Sequence, residues 1–112
     1  MREPTYFILA ALQEDALHGY AIVKRAQELS EGRVRLTTGT LYAALDRLTG
    51  EGMVRVAEEA VVNGRARRTY ALTQRGMSAL RAEAERMVAA ASVVRDRAIR
   101  STPAAAAWGM PA

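Results

Sequence analysis

Two groups of side chains in this sequence of 112 residues have the types and spacing that bind an anion. The first group is a run of threonines that follows an arginine, and the second is a cluster of arginines beside an Asn-Gly pair. Their members are Arg35, Thr37, Thr38, Thr40, Arg65, Arg67 and Arg68. Backbone N–H groups at the start of a helix favour phosphate, and guanidinium groups pair with phosphate oxygens. The two groups therefore indicate a phosphate-bearing binding partner.

Residues capable of covalent or acid–base chemistry are not arranged for catalysis. There is no cysteine, which excludes disulfides and thiolate metal sites. No nucleophile has a base partner, and neither a glycine-rich phosphate loop nor paired carboxylates in an apolar setting are present. His18 is the only histidine; it could bind a metal or titrate, but a structural or capping role is the simpler interpretation. We expect no catalytic site, no metal and no cofactor, and therefore not an enzyme.

The threonines begin a predicted helix over residues 38–51, with Thr37 or Thr38 as its N-cap. Its inward stripe has the spacing i, i+3, i+4, i+7 and consists of Leu41, Ala44, Leu45 and Leu48. A helix that enters a DNA major groove contacts bases with side chains near its N-terminus. On the outward face, the expected DNA contacts besides the threonines are Gly39, Tyr42 and Arg47. The alternative is an ordinary capped helix with a solvated polar face.

The arginine cluster lies in a predicted β-hairpin, residues 53–72, which we call the wing. Its first strand alternates apolar and polar residues and is rich in β-branched side chains, as strands are. Asn63-Gly64 is the strongest short signal for a hairpin turn. No acidic residue lies between Val61 and Tyr70, so the tip suits the minor groove or backbone of DNA. The alternative is a solvated basic turn that prevents pairing of strand edges.

Two predicted helices precede these elements and complete a mainly α fold with a small β-hairpin. The first covers residues 4–13 and is apolar nearly all round, which predicts burial. The second covers residues 19–30, opens with Leu17–Tyr20, is amphipathic and ends at Gly32. This order of elements predicts a winged helix-turn-helix domain over residues 1–73. That domain holds ten basic and nine acidic residues, so its net charge is almost zero although its charges are segregated.

A long fourth helix, capped by Thr73, is predicted over residues 74–100 as a dimerisation helix. Its apolar residues recur with the alternating 3,4 spacing of a coiled coil, and they are Met77, Leu80, Ala84, Met87, Ala91, Val94 and Ala98. At 1.5 Å per residue it spans about 40 Å, longer than a small domain. A partner helix, and hence a homodimer, is expected. The tail of residues 101–112 begins with Ser101-Thr102-Pro103, which predicts the end of the helix.

Trp108 in the tail belongs to no predicted element. It could insert between the subunits of a dimer and stack on a flat ligand. It could instead pack on the long helix or remain unattached. We name it as a candidate ligand-binding residue, with a flat aromatic or hydrophobic small molecule as the effector.

The distribution of apolar residues excludes a membrane-spanning helix. No run of about 18 apolar residues is present, and Met1-Arg2-Glu3-Pro4 lacks the apolar run of a signal peptide. The sequence therefore predicts a cytoplasmic protein. The formal net charge of +4 is too small to indicate nucleic-acid binding by itself, so that inference depends on where the arginines lie.

Several of these motifs together resemble the PadR family of bacterial transcriptional regulators, over about residues 5–80. They are Leu17-His18-Gly19-Tyr20, Thr38-Gly39-Thr40-Leu41-Tyr42, Leu45-Asp46-Arg47-Leu48, Asn63-Gly64-Arg65-Ala66-Arg67-Arg68-Thr69-Tyr70 and Leu72-Thr73 with Gly76. The resemblance implies a homodimeric winged-helix repressor whose third helix contacts bases and whose wing contacts the DNA backbone. It also implies that the last helix pairs with the partner's first helix, where Phe7 is the candidate contact. Some family members release DNA on binding phenolic acids or flat hydrophobic drugs.

We therefore hypothesise a sequence-specific DNA-binding transcriptional regulator, acting as a ligand-responsive homodimeric repressor on a double-stranded DNA operator. Carried over from the family, the DNA contacts would be Thr37–Thr40, Tyr42, Arg47 and Asn63–Arg68. One alternative is a protein-binding adaptor whose basic wing meets an acidic partner; duplex binding that weakens steeply with salt would argue against it. Another is a small-molecule carrier that uses the dimer cavity, for which ligand binding would never change DNA affinity.

Overall fold

The structure, a computed structural model, describes residues 1–106 of the chain and the side chains of residues 1–97. Its elements are α1 (Glu3–Ala11), β1 (Leu17–His18), α2 (Gly19–Leu29), α3 (Thr38–Gly50), β2 (Val54–Val62), β3 (Arg65–Leu72) and α4 (Gln74–Ala106). This order confirms the predicted fold class, which is mainly α with a small β-hairpin and a long C-terminal helix. The chain divides into two compact units, residues 1–81 and the residues from Ala82 onward.

The core of the first unit is built around α1 and α3. Fully or almost fully buried side chains in this cluster include Ile8, Leu9, Ile22, Leu41, Leu45 and Leu48. The inward stripe predicted for α3 is thus confirmed: its three leucines are buried, and Ala44 is partly buried against the same core. Each buried leucine contributes about 1.5–3 kcal/mol relative to an exposed one. Packing of its leucines therefore fixes the rotation of α3 about its axis, and with it the outward face.

The sheet has three antiparallel strands in the order β1-β3-β2. In β1, Leu17 pairs with Tyr70 and His18 with Thr69, which adds a short third strand to the predicted hairpin. This strand is not predictable from the sequence, because two residues carry no strand periodicity and their conformation depends on an edge that lies about 50 residues further along the chain. β1 covers the outer edge of β3 at Thr69 and Tyr70, in the C-terminal half of that strand, and α2 begins immediately after β1 at Gly19.

The first strand of the wing is longer than predicted. β2 continues to Val62 and pairs with β3 along its whole length. The register runs from Val54 opposite Leu72 to Val62 opposite Arg65, with a bulge that leaves Ala57 unpaired. Asn63 and Gly64 have φ values of 52° and 77°. Positive φ at both central residues is the type I′ turn of tight hairpins, so the predicted turn is confirmed.

The fourth helix, α4, spans Gln74–Ala106, up to the last of the described residues. The predicted end at Ser101-Thr102-Pro103 is wrong, because the backbone stays helical through these residues. Pro103 removes one backbone donor close to the end of the helix, and the alanines that follow have the highest helix propensity. The predicted cap is confirmed, since the Gly76 N–H donates to Thr73 Oγ1 at 3.0 Å.

Candidate nucleic-acid interface

The start of α3 is an exposed surface of small polar side chains. The Thr40 N–H donates to Thr37 Oγ1 at 3.2 Å, which makes Thr37 the N-cap of the helix. The Thr37 hydroxyl in turn donates to Thr40 Oγ1 at 2.9 Å. Thr38 and Gly39 are also exposed, and no atom lies within 4 Å of the position that a Cβ on Gly39 would occupy. This first turn can therefore approach a flat or grooved partner without moving any neighbour.

Tyr42 lies one helical turn after Thr38 on the same face of α3. Its ring meets the ring of Tyr70 edge-on, with centroids 6.5 Å apart, and 42% of the residue remains exposed. Its hydroxyl lies directly over Gly19, where a Cβ would overlap it and would come within 3.0 Å of Tyr42 Cζ. The absence of a side chain at Gly19 therefore lets Tyr42 pack on the start of α2, and the ring contact with Tyr70 connects α3 to the wing.

Helix α3 and the wing border one open groove, which we call the wing groove and whose volume is about 840 Å³. The helical side contributes His18, Gly19, Tyr20, Tyr42 and Asp46, and the wing side contributes Val62, Asn63, Arg65, Ala66, Arg67, Arg68 and Tyr70. One wall thus carries three arginines. A groove of this size and charge can take a segment of sugar-phosphate backbone.

The wing arginines differ in their surroundings. Arg65 and Arg67 are exposed, and neither makes an ion pair with any side chain in the described part of the chain. Arg68 Nε lies 2.7 Å from Glu59 Oε1 on the paired strand. The pKa of the Arg68 guanidinium is raised above its ordinary value, first by hydrogen bonding with Tyr70 and then by the charge of the Glu59 carboxylate. Two arginines are therefore open to a ligand, and the third already has an anionic partner.

Arg47 does not lie with the other predicted DNA contacts. Its Nη2 donates to Thr5 Oγ1 of α1 at 2.8 Å, and its Nη1 lies 3.4 Å from Glu51 Oε1. Arg47 follows Tyr42 by five residues, which is about 140° around a helix. The groove residue on the Tyr42 stripe is Asp46, four residues on, which sequence reasoning did not select although its i, i+4 spacing was visible.

Arg35, the remaining predicted contact, lies just before α3. Its Nε donates to the Gly32 carbonyl at 3.1 Å, and the residue is exposed. The neighbouring Arg33 pairs instead with Glu3 Oε2 at 2.8 Å. Sequence reasoning also missed His18 and Tyr20, which the short strand β1 and the start of α2 bring to the wing groove.

The predicted dimer contacts have unequal exposure. Leu80 is 5% exposed and belongs to the core of its own chain. Further along α4, Met87 is 44% and Val94 is 70% exposed. On α1, Phe7 is partly buried and meets Tyr6 edge-on with centroids 5.2 Å apart. The side chain of Ala98, and Trp108 altogether, lie outside the described residues.

Two other classes of site are not found among the described residues. No group of three or more histidine, cysteine, aspartate or glutamate side chains there is placed to hold a metal ion. Among the described helices, none has the length and hydropathy needed to cross a membrane.

Comparison with known proteins decides which family has this arrangement. The chain matches the Transcriptional regulator PadR-like family over residues 8–82. It belongs to the PadR family. The match confirms the resemblance inferred from the motifs, and the PadR fold accounts for the winged helix and the long last helix. The chain is thus a member of a family of transcriptional regulators.

Three relatives illustrate how far the likeness extends. The transcriptional regulator Rv3488 of Mycobacterium tuberculosis is 42% identical over 73 residues, which are 65% of this chain and 64% of that protein. The chain thus spans less than two thirds of that relative's length. A PadR family transcription regulator from Clostridium difficile has a TM-score of 0.71 at 23% identity, covering 85% of this chain and 97% of that one; at this identity the likeness concerns the fold.

The third relative is a structure of Bacillus subtilis PadR in complex with operator DNA. Its TM-score is 0.63 at 26% identity, over 71% of this chain and 46% of that one. That protein binds operator DNA.

Proposed function

We propose that this PadR regulator is a homodimeric repressor that binds a double-stranded DNA operator through α3 and the wing, and releases it when a flat hydrophobic effector binds. One observation supports the DNA-binding part. Tyr42 of α3 and the open arginines Arg65 and Arg67 line the same groove, with the exposed threonines one turn before Tyr42. Acting on chromosomal DNA would place the protein in the cytoplasm.

The start of α3 and the wing suit different parts of a duplex. The first turn of α3 carries small hydroxyl side chains, which can donate to or accept from base edges in the major groove. The wing carries guanidinium groups, which bind phosphate irrespective of sequence. Residues Thr37–Thr40 would therefore specify the operator, and Asn63–Arg68 with Arg35 would supply affinity.

A second copy of the chain is part of the proposal. The winged helix has almost no net charge, so one copy would bind a polyanion weakly. Paired last helices would hold two copies of α3 about 34 Å apart, one turn of DNA. The exposed Met87 and Val94 on α4 support this pairing, and Phe7 of α1 and Trp108 of the tail are its other candidate participants.

Electrophoretic mobility shift with DNA upstream of this gene and its neighbours tests the DNA-binding proposal. We expect one fragment to bind in preference to the others, and its affinity to fall at least about tenfold between about 50 and about 200 mM salt. Equal binding of all fragments would contradict sequence specificity, and binding insensitive to salt would contradict the role of the wing. A reporter gene behind the bound promoter should be more active in a strain that lacks the regulator.

The pairing of last helices is tested by Met87→Glu. A charge at the centre of the predicted seam should convert a dimer to monomers in sedimentation velocity, because a buried unpaired carboxylate is costly. Ala89→Glu adds the same charge to an exposed position of α4 outside the seam and should leave the dimer intact. A Met87→Glu protein that still sediments as a dimer would contradict this interface.

A further inference from the structure

The wing contains an anion of its own at the place where it would meet DNA. Glu59 and Arg68 are directly opposite in the β2/β3 register, and Arg68 Nε lies 2.7 Å from Glu59 Oε1. Both side chains remain open to solvent, at 58% exposure for Arg68 and 63% for Glu59. The pair is therefore formed before any ligand arrives, at a position that a ligand can reach.

This pair sets up a competition for Arg68. A DNA phosphate would approach the same guanidinium that the carboxylate holds, because Arg68 lines the wing groove together with Arg65 and Arg67. A carboxylate within hydrogen-bonding distance uses one edge of the guanidinium and repels a second anion nearby. Arg68 can therefore contribute fully to DNA binding only after its pair with Glu59 opens. While the pair is intact, the Glu59 carboxylate largely offsets the charge of Arg68.

We propose that Glu59 is a built-in competitor of DNA phosphate for Arg68, and that it limits the sequence-independent affinity of the wing. The inference rests on the proposed function, in which the wing contacts the DNA backbone. Glu59 would thereby increase specificity. When the wing binds every duplex less tightly, the contacts of α3 with bases supply a larger share of the binding free energy. A regulator that searches a genome benefits from a low affinity for non-specific sites.

A purely structural role for the pair is the weaker explanation. The type I′ turn at Asn63-Gly64 and the backbone ladder from Val54 to Val62 already fix the hairpin. Exposed ion pairs contribute little to stability, and many contribute nothing measurable. Replacing Glu59 should therefore leave the wing folded, which makes its effect on binding measurable by itself.

Glu58 offers a matched control on the same strand. It lies opposite Thr69, so strand alternation directs it to the other face from Glu59. Glu58 forms no ion pair with a side chain in the described part of the chain. Glu58→Gln and Glu59→Gln remove the same charge from adjacent positions, and only the second removes the partner of Arg68.

The experiment measures binding of a fluorescent, mixed-sequence duplex of about 30 base pairs by anisotropy at several salt concentrations, with the full chain and each variant. We expect Glu59→Gln to bind about three- to fivefold more tightly, and its salt slope to increase by about 0.9 for each wing that contacts DNA. Glu58→Gln should change affinity by less than Glu59→Gln does, because Glu58 pairs with no arginine in the described part of the chain and only its screened, longer-range charge is lost. In an Arg68→Ala background, Glu59→Gln should have no effect.

Two results would overturn the inference. Unchanged affinity in Glu59→Gln would mean that Arg68 is not available to DNA, and weaker binding would mean that Glu59 orients Arg68 productively instead of competing for it. Arg67→Ala separates this failure from failure of the proposed function. If Arg67→Ala weakens binding while Glu59→Gln does not tighten it, the wing binds DNA and only the inference fails; if Arg67→Ala also has no effect, the wing assignment itself fails.

Discussion

Helix α3 and the wing border the same groove but are held in place by different interactions. Leu45 at the centre of α3 is fully buried, and the helix cannot turn without breaking the core. The outer part of the wing is exposed on both faces, with Val61 76% exposed, and only its turn and backbone ladder determine its shape. Substitutions in α3 should therefore change stability and binding together, whereas substitutions in the wing should change binding alone.

The largest expected effect is that of Leu45→Ala, which removes a side chain from the core behind α3. It should lower the free energy of unfolding by about 2–5 kcal/mol, because transfer and cavity terms add. Urea denaturation followed by circular dichroism measures this. Val61→Ala, at the exposed part of the wing, should cost less than about 0.5 kcal/mol; equal losses for the two variants would contradict the difference between helix and wing.

Gly19→Ala tests the contact that links α2 to α3. The new Cβ would overlap the Tyr42 hydroxyl, so the ring must move, at a cost of about 1–3 kcal/mol in unfolding free energy. Gly39→Ala is the matched control, because its Cβ would enter open space and should stabilise the helix by up to about 1 kcal/mol. We expect Gly39→Ala nevertheless to weaken operator binding, because the methyl group intervenes between α3 and DNA. Retention of full stability in Gly19→Ala would show that Tyr42 does not depend on this contact.

Thr37→Ala removes the cap of α3 and should cost about 1 kcal/mol of stability. The loss arises because the Thr40 N–H, which donates to Thr37 Oγ1 at 3.2 Å, is left without its acceptor. Thr38→Ala, one residue later on an exposed position, should cost less than half as much. A comparison of thermal unfolding midpoints is sufficient, and a similar loss in both variants would argue against capping by Thr37.

The smallest free-energy change is expected for Arg67→Ala in the wing. Loss of one phosphate contact should weaken binding about threefold on every DNA sequence and reduce the salt slope by about 0.9. The unfolding free energy should not change, since Arg67 makes no ion pair with a described side chain. A loss confined to the operator would mean that the wing contacts bases and that the division of roles between helix and wing is wrong.

Features determined by near neighbours in the chain could be predicted from the sequence. Thr37 caps the helix that follows it because both partners lie within three residues. Asn63-Gly64 specifies a two-residue turn because few other dipeptides accept positive φ at both positions. The leucine stripe of α3 likewise predicts which face is buried. The start of α3 and the tip of the wing were therefore both placed correctly along the chain.

Features determined by distant parts of the chain could not be predicted in this way. Arg47 has the charge expected of a phosphate contact, but Thr5, 42 residues earlier, binds its guanidinium on the other side of α3. Strand β1 exists because Leu17 and His18 meet β3. The pairing of Glu59 with Arg68 depends on the register of two strands. The sequence by itself shows only that both charges are near the turn.

The unpaired Ala57 lets the inner and outer parts of the wing keep different registers. The two-residue turn sets Val62 opposite Arg65, and counting back from it puts Glu59 opposite Arg68. Nearer the core Val56 lies opposite Tyr70, a register that would put Glu58 opposite Arg68 if it continued, and Ala57 takes up the difference of one residue. If the bulge lay between Glu59 and the turn, the same sequence would therefore pair Arg68 with Glu58. Charge counts along PadR wings can be compared between homologues only after their bulges have been aligned, because the position of the bulge decides which charges face each other.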